Sequence, residues 1–189
     1  FGLDVVDEYA RLCPEKRALV WCNQKGEENV ITFGEMKELS LKMCNVISSY
    51  GVKKGDFVMS MLNRRWEYWV LVVACCKMGV VLIPATHMLT PKDVANEADV
   101  KLLFATEEED VAEHISLALP DCKNLKGVLS VNGAHFDNLD EKLENAPEPT
   151  RSDARIFHFG HDGYAQNGNA RLFVSFGTRL HRKILARRR

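Results

Sequence analysis

The chain has 189 residues with a hydrophobic share of 46%, enough for one folded domain with or without a tail, and the composition is that of an ordinary globular protein. No apolar run reaches about eighteen residues, which excludes a membrane-spanning helix; the most apolar stretch, Trp66 to Met78, is shorter and contains Glu67 and Lys77. The net charge of −1 is unevenly placed, with −8 over residues 1–154 and +7 over residues 155–189.

In chain order the signals alternate between helix and strand. Asp4 offers a cap for a short helix over Val5–Leu12, which Pro14 ends. Ala18–Cys22 and Asn29–Phe33 read as strands on either side of a Gly-containing turn. Thr32-Phe33-Gly34-Glu35 has the form of a capping box, in which the hydroxyl and the carboxylate satisfy amides of the first turn. Met36, Leu39, Met43, Val46, Ile47 and Tyr50 follow at helical spacing, and Gly51 stops the helix. Phe57–Leu62 is an apolar strand. Asn63 is placed to cap a helix over Arg64–Met78, which Gly79 ends. Val80–Ala85 is a continuous apolar run, as in a strand covered on both faces. Thr90-Pro91 places a cap and an N1 proline before a short helix. Lys101–Ala105 is a strand. Thr106 with Glu107, Glu108 and Glu109 reads as the next helix start, where acids suit the positive end of the helix dipole. Val128–Val131 is one more strand. This alternation predicts an α/β fold with a wound, largely parallel sheet.

Pro147 and Pro149 mark Asn145–Asp153 as a linker between a body, residues 1–153, and a basic tail, residues 154–189. Beyond the linker the periodicity vanishes: Gly160–Ala170 is rich in Gly and Asn, and Arg179–Arg189 is basic. Such a tail buries too little apolar surface to offset ordering at roughly 1–2 kcal/mol per residue, so it is predicted to be disordered. A basic tail on an acidic body also fits nucleic-acid contact. A non-catalytic binding module with a nucleic-acid-contacting tail is therefore the alternative reading.

The six cysteines form no C-x-x-C pair, and Cys75-Cys76 lie within an apolar run; they read as buried free thiols of a reducing compartment. Asp4, Asp7 and Glu8 interrupt the start where a secretory signal needs an apolar run, which predicts a cytoplasmic chain. The first residue is Phe1 rather than Met, so the natural start is left open. Arg64 and Arg65 could meet phosphates at a helix start, against the plainer reading of a solvated first turn. Trp66 and Trp69, with Val70 and Val73, read as core rather than an acyl pocket. His87 reads as structural at a strand end, and His114 and His135 as exposed. No paired carboxylates and no nucleophile–base pair stand out in the body.

Four stretches together resemble the AMP-forming acyl-CoA synthetases of the adenylate-forming superfamily. They are Gly51-Val-Lys-Lys-Gly-Asp56 with its strand, Asn63-Arg-Arg-Trp-Glu-Tyr-Trp69, Met78-Gly-Val-Val-Leu-Ile-Pro-Ala-Thr-His-Met-Leu-Thr90, and Ala98-Asp-Val-Lys101. Pro84-Ala-Thr-His-Met-Leu89 is similar to the acetyl- to medium-chain subgroup. Between Asp93 and Ala98 the chain is several residues shorter than the family pattern. The resemblance implies the first subdomain of the family's large N-terminal domain. It implies for the intact enzyme a carboxylic acid, ATP, Mg²⁺ and coenzyme A, with no nucleic acid.

The family's phosphate loop, rich in Ser, Thr and Gly and followed by Lys, is expected near Phe157, but the residues there are Phe157-His-Phe-Gly-His-Asp-Gly-Tyr-Ala-Gln-Asn-Gly-Asn169. Read one base later, codons for Ile156 to Asn169 allow YFTSGTTGMPKMV, and continuing to Arg188 allows MHDFSFPLGHACTGKYWQDV. The tail therefore reads as the family's gene out of frame, with the change between about Asp153 and Phe157. His158, His161 and Asp162 have metal-ligand types, and Arg187-Arg188-Arg189 could contact phosphate; both read as accidents of the shifted frame. The chain is expected to be inactive. No catalytic, cofactor-binding or metal-binding residue is assigned in it, and none of ATP, Mg²⁺ or coenzyme A is expected to bind it.

Overall fold

The computed structural model describes residues 2–96, 99–131 and 133–147. A wide helical turn, Gly2–Asp7, runs into α1 (Glu8–Leu12). The strands β1 (Arg17–Cys22) and β2 (Glu28–Thr32) pair antiparallel as a separate two-stranded sheet. There follow α2 (Phe33–Ser49), β3 (Phe57–Met61), α3 (Glu67–Met78), β4 (Val81–Pro84), α4 (Pro91–Asn96), β5 (Val100–Thr106), α5 (Glu109–Ala118), β6 (Gly127–Val131), β7 (Asp137–Asn138) and α6 (Leu139–Glu144). Strands β3 to β7 form one parallel sheet in the order β4-β3-β5-β6-β7. The predicted wound parallel α/β fold is the one observed.

At both ends of α2, the end of α3 and the start of α4, local chemistry acts where the sequence puts it. The Thr32 N–H donates to Glu35 Oε2 at 2.7 Å and the Glu35 N–H to Thr32 Oγ1 at 3.2 Å, so both arms of the capping box form. Gly51 and Gly79 take φ of +73° and +66° after α2 and α3, a conformation that L side chains resist. At α4, Thr90 Oγ1 accepts from the Asp93 N–H while Asp93 accepts from the Thr90 N–H.

The period-two alternation of the strands splits the core into two layers. On one face Val58, Leu102, Phe104, Leu129 and Val131 pack with α2, α3 and α6. On the other, Met59, Met61, Leu103, Ala105 and Val128 pack with Val94 of α4 and with Val111 and Ile115 of α5. Leu102 and Phe104 are fully buried, at the heart of the larger layer. The wide turn is pinned into that layer by Val6 and by an ion pair, Lys77 Nζ to Asp7 Oδ1 at 2.6 Å, in which the lysine side chain is completely enclosed.

Four local expectations are corrected. Val80–Ala85 was expected beneath cover on both faces, yet β4 is the outermost strand and Val81 is 44% exposed. Asn63 does not cap α3, which begins at Glu67 after Trp66, and its side chain bonds elsewhere. Thr106 ends β5 rather than starting α5, which begins at Glu109. Trp69 is half exposed, although Val70 and Val73 are core as expected. Of the thiols, Cys44 and Cys75 are buried, but Cys13, Cys22 and Cys76 are exposed; all six are free. Residues 137–144, which carried no prediction, hold β7 and α6, with Asn138 capping the helix. Of the expected linker, Asn145 to Pro147 are described, and Asn45 Nδ2 donates to the Pro147 carbonyl at 3.3 Å. The rest of it, and the predicted disordered tail with His158, His161, Asp162 and Arg187–Arg189, lie outside the described residues.

Candidate functional site

In an open parallel sheet, ligands settle outside the carboxyl ends of the strands, at the point where the chain's winding direction reverses. Here β3 is followed by β4 on one side, and the chain then crosses back to β5 on the other. The crevice candidate is thus the carboxyl edge of β3, β5 and β6. It is formed by Asn63 to Trp66, by Thr106 to Glu108, and by the loop residues Gly133 to Phe136.

Asn63 ties the first two of these segments together. Its N–H donates to Thr106 Oγ1 at 3.3 Å, the Thr106 hydroxyl donates to the Met61 carbonyl at 3.3 Å, and Asn63 Nδ2 donates to Glu108 Oε1 at 2.9 Å. The next residue, Arg64, has φ of +51°, uncommon for a residue with a side chain. Its carbonyl accepts a 2.6 Å hydrogen bond from Trp21 Nε1. Arg65 is half-buried rather than part of a solvated first turn. Its guanidinium forks onto Glu67 at 2.6 and 3.1 Å and lies 5.4 Å from the centre of the Trp21 ring. Glu67 is wholly buried, so Arg65 supplies the charge that makes this burial tolerable. The Arg64 side chain is exposed.

Glu107 organises the third segment. Its carboxylate accepts from Ser130 Oγ at 2.7 Å and from the backbone N–H groups of Ala134, His135 and Phe136 at 2.8, 2.9 and 3.1 Å. The His135 ring lies 2.9 Å away through Nδ1. Burial pushes the carboxyl pKa up. The bonds from Ala134, His135 and Ser130 outweigh that and hold it at about 2. His135 is otherwise exposed, as expected. His114, expected to be exposed, is half-buried with Nδ1 2.9 Å from the Leu89 carbonyl oxygen. His87 lies exposed in the turn after β4.

At this edge Glu107 is filled by the loop, and Glu108 Oε1 accepts from Asn63. Among the described residues no three His, Cys, Asp or Glu side chains converge on a possible metal position. A hollow of about 240 Å³ lies at α2, lined by Asn29, Val30, Ile31, Glu35, Glu38, Leu39 and Lys42, but Glu35 there is committed to the helix cap. The buried thiols are inert: burial first, then the neighbouring Asp7, pushes Cys44 up to about 12 against the opposing pull of Lys77. The sequence signal that was available for Glu107 is an acid immediately after an apolar strand, the position that faces the crevice in a wound sheet.

The family model described as AMP-binding enzyme matches residues 6–167. Acyl-coenzyme A synthetase ACSM4, mitochondrial, of Mus musculus is 35% identical over 160 residues, covering 78% of this chain and 27% of that protein. Acyl-coenzyme A synthetase ACSM3, mitochondrial, of Pongo abelii is 34% identical over 158 residues with the same coverage. The chain thus spans about a quarter of the length of these relatives. Among solved structures, the anthranilate CoA ligase AuaEII in complex with anthranoyl-AMP superposes with a TM-score of 0.67 at 13% identity, over 79% of this chain and 28% of that one. At that identity the likeness is one of fold. No helix among the described residues is long and apolar enough to cross a membrane.

Proposed function

Since this chain belongs to the AMP-binding enzyme family, we propose that it forms the amino-terminal part of an AMP-forming acyl-CoA synthetase, an acid–thiol ligase of fatty acid metabolism. The observation that carries this reading is the 35% identity over 160 residues to an acyl-coenzyme A synthetase. In the reaction a carboxylate oxygen attacks the α-phosphorus of ATP, giving acyl-adenylate and pyrophosphate. The thiol of coenzyme A then attacks the acyl carbon and AMP leaves. When bound, Mg²⁺ offsets the charge of the phosphates. The described residues contribute the scaffold of the first subdomain, and no step is assigned to any of them.

The 189-residue chain itself makes no acyl-adenylate in this reading. Residues 157–169, where the phosphate loop is expected, contain no Ser, Thr or Lys. Backbone amides next to glycine, hydroxyl donors and an ammonium are what such a loop needs. Neither ATP, Mg²⁺ nor coenzyme A is expected to bind it. The test is carboxylate-dependent ATP–pyrophosphate exchange with acetate, butyrate or octanoate. No exchange above a no-protein control is expected, and clear exchange would overturn the inactive assignment. The +7 charge of residues 155–189 favours one competing reading, a module that contacts nucleic acid through its tail. RNA binding that survives moderate salt would support that module instead. A cytoplasmic location and the mitochondrial one carried in the relatives' names both accommodate free thiols; imaging of the tagged natural protein separates them.

A further inference from the structure

We propose that the loop Gly133 to Phe136 is a carboxylate-binding nest, and that Glu107 closes it as a built-in occupant that excludes other carboxylates. The ligand class follows from the loop's own geometry, without the family reading above. Glu107 leaves the end of β5 and Ser130 lies in β6, so the two are neighbours at the carboxyl edge of the sheet. Four donors and the His135 ring converge on the one carboxylate. Oε1 accepts from the Ser130 hydroxyl at 2.7 Å and from the N–H groups of His135 and Phe136 at 2.9 and 3.1 Å. Oε2 accepts from the Ala134 N–H at 2.8 Å, and His135 Nδ1 lies 2.9 Å from it.

This is not the geometry of a helix cap. The donors come from 23 to 29 residues further along the chain, and α5 begins beyond Glu107, at Glu109. The three amides are consecutive, so the backbone turns successive N–H dipoles onto one point, which is how main chain receives an anion. Their distribution over two oxygens suits a planar carboxylate, which has about four lone-pair positions to fill. Ser130 is fully buried, so its hydroxyl needs an acceptor at this point. The loop packs closely round it: a Cβ on Gly133 would lie 2.0 Å from Ser130 Oγ. The Glu107 side chain is only 9% exposed, but the His135 side chain beside it is 69% exposed. The nest therefore lies one side chain below solvent. Without the Glu107 carboxylate, the same donors face a position that a free carboxylate can reach. With it, the tethered group wins, because the chain holds it at the site while a competitor must come from solution.

The test compares the full chain with its Glu107→Ala variant at pH 7, in sodium acetate and in sodium chloride of equal ionic strength. The readout is amide exchange of the peptide holding Ala134 to Phe136. In the variant, acetate at about ten times its half-saturating concentration is expected to slow this exchange about tenfold relative to chloride. In the wild type the two salts are expected to give the same exchange. No acetate-specific slowing in the variant, or an equal acetate effect in the wild type, overturns the proposal. If Glu107→Ala does not fold in chloride, refolding from urea becomes the readout: recovery in acetate alone supports the nest, and failure in both salts overturns it. Adding Ser130→Ala to Glu107→Ala removes the enclosed donor and is expected to weaken the acetate response several-fold. An unchanged response would place acetate elsewhere and overturn the proposal.

Discussion

Replacing Glu107 by Gln removes a carboxylate whose two oxygens accept from four N–H and O–H donors and face the His135 ring. The carboxyl pKa falls from 4.5 in its ordinary state to about 2 in the fold. At about 1.36 kcal/mol per pH unit this depression corresponds to roughly 3 kcal/mol. The group sits at the surface end of a loop, and allowing for solvent screening leaves about 2 kcal/mol. Glutamine keeps one acceptor and turns an NH₂ toward the remaining donors, leaving part of the loop's N–H set without a partner, a further cost of about 1–3 kcal/mol. Because the folded pKa is depressed, the contribution is complete above pH 4.5 and disappears as pH falls toward 2. Glu107→Gln is therefore expected to lose about 3–5 kcal/mol at pH 7 and clearly less at pH 2.5. The assays are urea unfolding followed by circular dichroism and hydrogen exchange of the peptide holding Ala134 to Phe136. A loss at pH 7 below about 0.5 kcal/mol, or an equal loss at both pH values, would refute the reasoning.

Two further perturbations probe the packing. Asp7→Ala leaves the fully enclosed Lys77 ammonium without its counter-charge and is expected to cost about 3–5 kcal/mol in chemical unfolding, while adding Lys77→Met to it recovers most of the loss; additive losses in the double variant would argue against a buried pair. The outer edge of β4 is unpaired among the described residues, and Val81, Phe57 and Trp69 are 44%, 36% and 50% exposed. An open edge beside apolar surface favours association. Size-exclusion chromatography at micromolar concentration is expected to show oligomers that Val81→Lys reduces, and a monodisperse wild-type monomer would be the contrary result.

Much of this fold was written locally. The Thr32–Glu35 capping box, the left-handed stops at Gly51 and Gly79 and the Thr90–Asp93 cap depend on groups a few residues apart, so reading neighbours along the chain finds them. Alternation of helix and strand likewise leads to a parallel wound sheet, because parallel strands need crossovers. Tertiary structure alone decided strand order. Val81–Pro84 is as apolar as an interior strand, but an edge position is set by which strands lie beside it, and β3 chooses β4 on one side and β5 on the other. The partners at the carboxyl edge were invisible for the same reason. Asn63 reaches Glu108 across 45 residues, and Glu107 gathers a loop 27 to 29 residues away. Asn63 was an available cap and Glu107 an available helix-start acid. Once the sheet brings the ends of β3, β5 and β6 together, Glu107 gathers the N–H groups of Ala134, His135 and Phe136 with the Ser130 hydroxyl, and that set of bonds outweighs the modest gain of a local cap.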